Sequence, residues 1–339
     1  MLVSGIFNVR YLTGFTGSSG CVLITPRKRY FFTDFRYRQQ AAREVRDHEV
    51  RIVGGPALTG AARYAMARRI RLGVLGIEGA DVSQRSYREL RSILKGIRLR
   101  DVSGTIERMR AVKSGREIRL IEQAAAICDR AFGRLVRKQV TGRTEKEVAW
   151  LLEGWMRQDG SEPLPFEIIV ASGPRSALPH GVASDRVIGP NELVVIDMGA
   201  RVRGYCSDMT RTFATGRLSA RRLAMHETAL AAQAAALKAV VPGAPCAEVD
   251  SAARKLIEGE GYGEAFGHAL GHGVGLEAHE KPTLAPRSRE RLSAGMVVTV
   301  EPGIYLPRTG GVRIEDTVVV GPGGPRALTR FARDLRRLK

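Results

Sequence analysis

No apolar run in this chain approaches the ~18 residues that a membrane helix requires. No basic segment followed by an apolar one opens it, so a secretory leader is not expected. Cysteine is scarce: Cys21, Cys128, Cys206 and Cys246 are scattered and form no Cys-x-x-Cys pair. That spacing argues against a disulfide framework or a cysteine zinc site and fits reduced thiols in a cytoplasmic protein. Aromatics make up only 6% of the residues and do not interleave with the basic ones. Nor is there a block of about five or six consecutive basic residues. Residues 1–110 carry 21 Lys+Arg against 9 Asp+Glu, and the rest carry 33 against 26. The formal charge of +19 is therefore read as diffuse Arg enrichment, and nucleic acid is not expected as a partner.

What is present is a chain of 339 residues, 44% of them hydrophobic, long enough for two domains with a sizeable core. The first ~110 residues alternate short strands and helices, an α/β pattern. "GCVLITP", "RYFFTDF", "RLGVLG" and "IRLRDV" read as strands. "RYRQQAAREVR" and "SQRSYRELRSILKG" read as helices. The opening "LVSGIFNVRYLTG" enters almost directly into a strand, without the helix that usually precedes one in such a layout. Residues 101–116 form a boundary. Ser114 with Glu117 three residues on is a capping box that starts a long amphipathic helix. Further helices are expected over Glu145–Gln158, Leu218–Val240 and Ala247–Gly259.

"GHALGHGVGLEAHE", residues 267–280, holds three of the six histidines: His268, His272 and His279. Gly267, Gly271, Gly273 and Gly275 are poor helix residues, so the stretch reads as turn or strand, not as a two-histidine zinc helix. The glycines would let the backbone pass close to a metal. His48 and His226 read as plain surface residues in polar, helix-like contexts.

Two β segments share one plan. "ELVVIDMGARVRGYCSDMTRTF" is an apolar strand, a turn around Val202–Gly204 and a returning strand. "GMVVTVEPGIYLPRTGGVRIEDTVVV" repeats it with a turn at Thr309–Gly311. Asp197 and Glu301 end the two apolar runs, and Asp208 and Glu315 sit in the two returning strands. This is an internal pseudo-repeat of carboxylate-bearing hairpins. A buried carboxylate needs a partner. Arg211 and Arg313 lie close enough in sequence to pair with these groups as salt bridges. The alternative is two divalent cations balanced by four carboxylates, with an imidazole as fifth ligand. Mixed oxygen and nitrogen donors suit Mn, Co or Zn better than Ca. Two such ions ~3.5–4 Å apart would activate water for attack on an amide carbonyl and stabilise the oxyanion.

At these residues the chain resembles the pita-bread metallopeptidases, in the branch of Xaa-Pro aminopeptidases and prolidases. The motifs are "PHG" at 179–181, "VIDMGA" at 195–200, "YCSDMTRTF" at 205–213, "GHGVGLEAHE" at 271–280, "EPGIY" at 301–305 and "RIEDT" at 313–317. "NVRYLTGFTGSSG" and "TDFRY" resemble the creatinase-like N-terminal domain of that branch. The resemblance implies a mixed α/β domain over residues 1–111, then a pita-bread catalytic domain over 112–339 with a pseudo-two-fold antiparallel sheet and flanking helices. It implies a first helix missing before "LVSG". It implies Asp197, Asp208, His272, Glu301 and Glu315 as ligands of two divalent ions, manganese or else cobalt or zinc, with Asp208 and Glu315 bridging. His180 and His279 become catalytic assistants, Glu301 the proton acceptor, and His268, Arg313 and Tyr305 the surrounding pocket. His268 reads equally as a packed turn histidine. The implied activity is release of the residue before proline at a peptide N-terminus by a water bridged between the ions, in a homodimer. The alternatives are an Xaa-Pro dipeptidase, a non-catalytic pita-bread binding module and metal-free creatine hydrolysis.

Overall fold

The computed structural model describes residues 1–68, 70 and 73–339. Contacts divide the chain into two compact units, Met1–Arg110 and Ala111–Lys339.

The first unit is built on a six-stranded sheet of order β4-β3-β2-β1-β5-β6. Its strands are β1 Leu2–Val3, β2 Cys21–Ile24, β3 Arg29–Thr33, β4 Glu49–Ile52, β5 Val74–Ile77 and β6 Arg98–Asp101. β1–β2 and β2–β3 are antiparallel, and the outer pairings are parallel. Residues alternate across a strand. Leu2, Cys21, Leu23, Tyr30 and Phe32 accordingly face one core, with helices α3 Ala57–Ala67 and α4 Gln84–Ile93. Val3, Val22 and Phe31 face the other, with α1 Ile6–Thr13, α2 Arg38–Glu44 and α5 Thr105–Ala111. The expected strands and helices are all present, although Arg71 and Leu72 of "RLGVLG" lie outside the described residues. α3 has no counterpart in the sequence reading. Gly60 masks it: a Cβ there would lie 2.7 Å from Val53, so this helix needs its poor helix former for close packing.

In the second unit the capping box is formed, with Ser114 accepting from the Glu117 N–H and Glu117 from the Ser114 N–H. It opens α6, Gly115–Leu135. α7 Glu145–Gln158 follows, then strands β7 Ile169–Ser172, β8 Leu193–Met198, β9 Arg201–Val202, β10 Tyr205–Cys206 and β11 Met209–Ala214. After α8 Ala220–Ala239 and α9 Cys246–Gly259 come β12 Gly271–Gly273 and β13 Glu280–Leu284. β14 Val297–Val300, β15 Gly303–Leu306, β16 Gly310–Arg313, β17 Asp316–Gly321, β18 Gly324–Ala327 and β19 Arg336–Arg337 complete it.

Two sheets result, ordered β19-β11-β8-β7 and β13-β12-β14-β17-β18. α6 and α7 cover the first through a core that includes Phe132, Leu152, Ile196 and Phe213. α8 and α9 cover the second through Ala232, Val249, Val298 and Val318. The pseudo-repeat is thus real at the level of architecture. Each hairpin is split into a long pair in the main sheet, β8–β11 or β14–β17, and a short pair beyond it, β9–β10 or β15–β16.

Candidate metal centre

The splits in the hairpins place the carboxylates. Asp197 is near the end of β8, and Asp208 immediately precedes β11. Glu301 immediately follows β14, and Glu315 immediately precedes β17. The backbone leaves the ladder at each of the last three points, so these side chains turn away from the regular alternation of the sheet. β11 and β17 are stitched at their starts. The Glu315 N–H donates to the Thr210 carbonyl (3.1 Å), Thr210 Oγ1 donates to Glu315 Oε2 (2.7 Å), and Thr317 Oγ1 donates to the Asp208 carbonyl (2.7 Å). One carboxylate from each hairpin therefore meets its counterpart.

His272 joins them from β12. Its Nε2 lies 3.2 Å from Glu301 Oε1 and 3.7 Å from Asp208 Oδ2. Asp208, His272 and Glu315 each offer one ligand atom, all within 4.8 Å of one another. The Gly273 carbonyl lies 3.0 Å from His272 Nδ1. A proton on Nδ1 completes that bond and leaves the Nε2 lone pair facing the carboxylates, the tautomer a metal ligand needs. The flanking glycines serve packing of strands. A Cβ on Gly271 would stand 2.1 Å from the Thr299 carbonyl, and one on Gly273 2.1 Å from the Lys281 carbonyl. They bring β14 and β13 close to β12.

Electrostatics make the cluster costly without cations. Burial, then the charges of Glu315 and Asp197, push Asp208 well above the usual carboxylate range. Burial, then Glu301 and Asp197, do the same to Glu315. Burial also raises Glu301, but in the cation-free centre the hydrogen bond and charge of a protonated His272 outweigh it and hold this group at about 2; a cation on Nε2 would take the place of that proton. Asp197 Oδ1 is buried with no hydrogen-bond partner among the described residues. An orphaned carboxylate oxygen, two carboxylates forced toward neutrality and an imidazole with its lone pair turned inward all fit a divalent cation site.

Arg313 forms the far wall. Its Nη2 donates to Asp197 Oδ2 (2.7 Å), Nε to Thr210 Oγ1 (3.0 Å), and Nη1 to the Pro179 carbonyl (3.0 Å) and the Tyr305 hydroxyl (2.9 Å). The salt-bridge alternative thus holds for one carboxylate only; Arg211 pairs instead with Asp316, at 2.7 Å. The Tyr305 hydroxyl in turn lies 3.0 Å from His268 Nε2, and His268 Nδ1 lies 2.8 Å from the Ala269 carbonyl. A neutral His268 with its proton on Nδ1 satisfies both contacts. Burial, the largest influence on its basicity, favours the same state. His279 is exposed, with its ring 4.1 Å from that of His272. Its basicity is lowered by burial of part of the ring and by His272. His180 is exposed and close enough to weaken the basicity of both His268 and His279.

The carboxylates, His180, His268, His272, His279, Tyr305 and Arg313 all lie in the second unit. Thr210, Thr299 and the Pro179 carbonyl were not anticipated. Thr299 Oγ1 donates to Glu301 Oε1 (3.0 Å) and accepts from the His272 N–H (3.0 Å). The available signal was spacing: each of these threonines stands two residues from a carboxylate, on the same face of a strand. His48 and His226 correct the surface assignment. They are 9% and 4% exposed, because their faces pack inward.

Residues 119–322 match the model of Metallopeptidase family M24, and residues 1–112 that of the Creatinase/Prolidase N-terminal domain. The chain belongs to metallopeptidase family M24. It has the mixed α/β N-terminal domain and the pita-bread catalytic domain of the prolidase and aminopeptidase P branch. An Xaa-Pro dipeptidase of Pyrococcus furiosus is 43% identical over 263 residues, 77% of this chain and 75% of the relative. The structure of an Xaa-Pro dipeptidase from Bacillus anthracis superposes with a TM-score of 0.95 at 40% identity, covering 99% of this chain and 94% of that one. An X-Pro aminopeptidase from Thermotoga maritima gives 0.89 at 41% identity, covering 97% and 93%. M24 members are metal-dependent hydrolases, and Asp208, His272 and Glu315 are a group of the catalytic unit that could hold an ion.

Proposed function

We propose that the chain is a dinuclear Xaa-Pro dipeptidase. The observation that carries the metal chemistry is the meeting of Asp208, His272 and Glu315, whose ligand atoms lie within 4.8 Å of one another, with Glu301 Oε1 3.2 Å from His272 and Asp197 Oδ1 left orphaned. Asp197, Asp208, His272, Glu301 and Glu315 are the ligand set. Two divalent ions, manganese for preference given hard oxygen donors with one nitrogen, supply an acidified water and a polarised carbonyl. Glu301 accepts the proton of the attacking water. His279 and His180, both exposed beside the cluster, orient the scissile carbonyl and move protons to the leaving proline nitrogen. Arg313 holds Asp197 and, through Thr210, Glu315, so that the two halves keep one spacing.

The relatives named Xaa-Pro dipeptidase support a two-residue substrate, in place of the longer peptides that an aminopeptidase reading expects. One observation favours the latter: the X-Pro aminopeptidase of Thermotoga maritima is as similar in sequence. Product analysis separates them. Manganese-loaded protein is given Xaa-Pro and Xaa-Pro-Yaa-Zaa side by side. Rapid cleavage of the dipeptide alone is expected; comparable rates on both would make the enzyme an aminopeptidase. Asp208→Ala is expected to lower kcat by at least about a thousandfold and to lose bound manganese, because its oxygens face both groups of ligands. Normal turnover in that variant would refute the ligand set.

A further inference from the structure

The turn from Gly273 to Glu280 carries His279 back over His272, and its interior is filled by one carboxylate. Glu280 Oε1 accepts the Glu277 N–H at 3.1 Å. Its Oε2 lies so near Gly275 that a Cβ there would be 2.5 Å away. The turn is tied elsewhere by the Gly275 N–H donating to the Glu277 carbonyl (3.0 Å) and the Cys206 N–H to the Gly275 carbonyl (2.8 Å). The charge of Glu280 is met by Lys113, whose Nζ lies 3.1 Å from Oε2. Both side chains are buried, at 1% and 5% exposure. Lys113 is itself anchored: its N–H donates to the Gly295 carbonyl (2.9 Å), and its Nζ to the Ala111 carbonyl (3.2 Å).

We propose that the buried Lys113–Glu280 ion pair is a positioning device for His279. The inference rests on the peptidase reading above, in which His279 touches substrate. A buried pair contributes little net stability, but removing one member takes away the contact that fixes the end of the turn. What the turn carries is the imidazole one residue before Glu280. Small displacements of a substrate-orienting group are costly to turnover and nearly silent in binding.

Three variants test this in the full-length, manganese-loaded protein: Glu280→Gln, Lys113→Met, and the two combined. Each single change is expected to lower kcat on Xaa-Pro about 10- to 100-fold with KM altered less than about threefold and metal content unchanged. The double variant is expected to lose no more than the worse single change, because both side chains act through one contact. The deciding measurement is made in a His279→Ala background. There, adding Glu280→Gln is expected to cost nothing further, because the group it positions is gone. An equal loss with and without His279 would overturn the proposal in favour of a purely structural pair. NMR of the imidazole protons in the zinc-loaded protein, whose ion is diamagnetic, provides a readout independent of activity. The His279 signal, assigned by its absence in His279→Ala, is expected to shift in Glu280→Gln while those of His48 and His226 stay. An unmoved His279 signal overturns the proposal. A wild-type protein inactive on every Xaa-Pro peptide, yet showing the shift, overturns the substrate reading alone.

Discussion

Four acceptors converge on Arg313: a carboxylate of β8, a threonine of β11, a tyrosine of β15 and a loop carbonyl. A planar guanidinium can reach all four at once, and an ammonium cannot. The resemblance implied that Arg313 orients neighbouring groups, but not which ones, because its partners lie up to 134 residues away and only the fold brings them together. His226 shows the opposite limit. Its neighbours in α8 are polar enough to suggest a surface, yet its own face packs inward, and burial lowers its pKa from 6.5 to about 4. The sign of the consequence follows. Below the ordinary value the unfolded chain takes up a proton that the folded chain refuses until far lower pH. Stability is therefore constant above that value and falls as pH drops through the window between 6.5 and about 4. At about pH 5 the loss amounts to roughly 2 kcal/mol. Urea unfolding at about pH 7.5 and about pH 5 is expected to show this difference in the wild type and to lose most of it in His226→Gln.

At the level of elements, the hairpins were legible because their pattern is doubly redundant: apolar runs of strand length, carboxylates at matching places, turns of glycine and arginine. The long helix after residue 114 was legible for a similar reason, since Ser114 stands three residues before Glu117 and forms a capping box; the same device at Thr144 and Glu147 was overlooked. What did not show was the split of each hairpin into two strand pairs. It depends on where the two sheets meet, which no local pattern encodes. The glycines of β12 were visible as residues but not as contacts. They yield a sharp contrast. Gly271→Ala sets a Cβ 2.1 Å from a backbone oxygen that cannot yield, so a loss of about 1–3 kcal/mol and impaired metal binding are expected. Gly267→Ala, four residues earlier, meets nothing within 4 Å and is expected to be neutral. Thermal unfolding and manganese stoichiometry of the two variants check both statements.

For the molecule as a whole, the two units differ in what the cations should do to them. All five proposed ligands belong to Ala111–Lys339. A ligand that binds only the folded state protects what it binds. Hydrogen exchange with and without manganese is therefore expected to slow in peptides covering β8–β11, β12–β13 and β14–β17. The strands of the first sheet are expected to be unchanged. Protection confined to residues 1–110 would contradict the placement of the centre. No helix of the described residues is long and apolar enough to cross a membrane, and the four cysteines are buried.

The division of the centre between two hairpins also bears on synthesis. Thr210 and Glu315, which meet through one hydrogen bond, are 105 residues apart. As the chain leaves the ribosome, Asp197 and Asp208 emerge first and can pair only with each other's repulsion. The second half, from His272 to Glu315, follows after α8 and α9. A nascent chain therefore carries no assembled hydrolytic centre until β17 has been made, and it cannot act on peptides while most of it is still being translated.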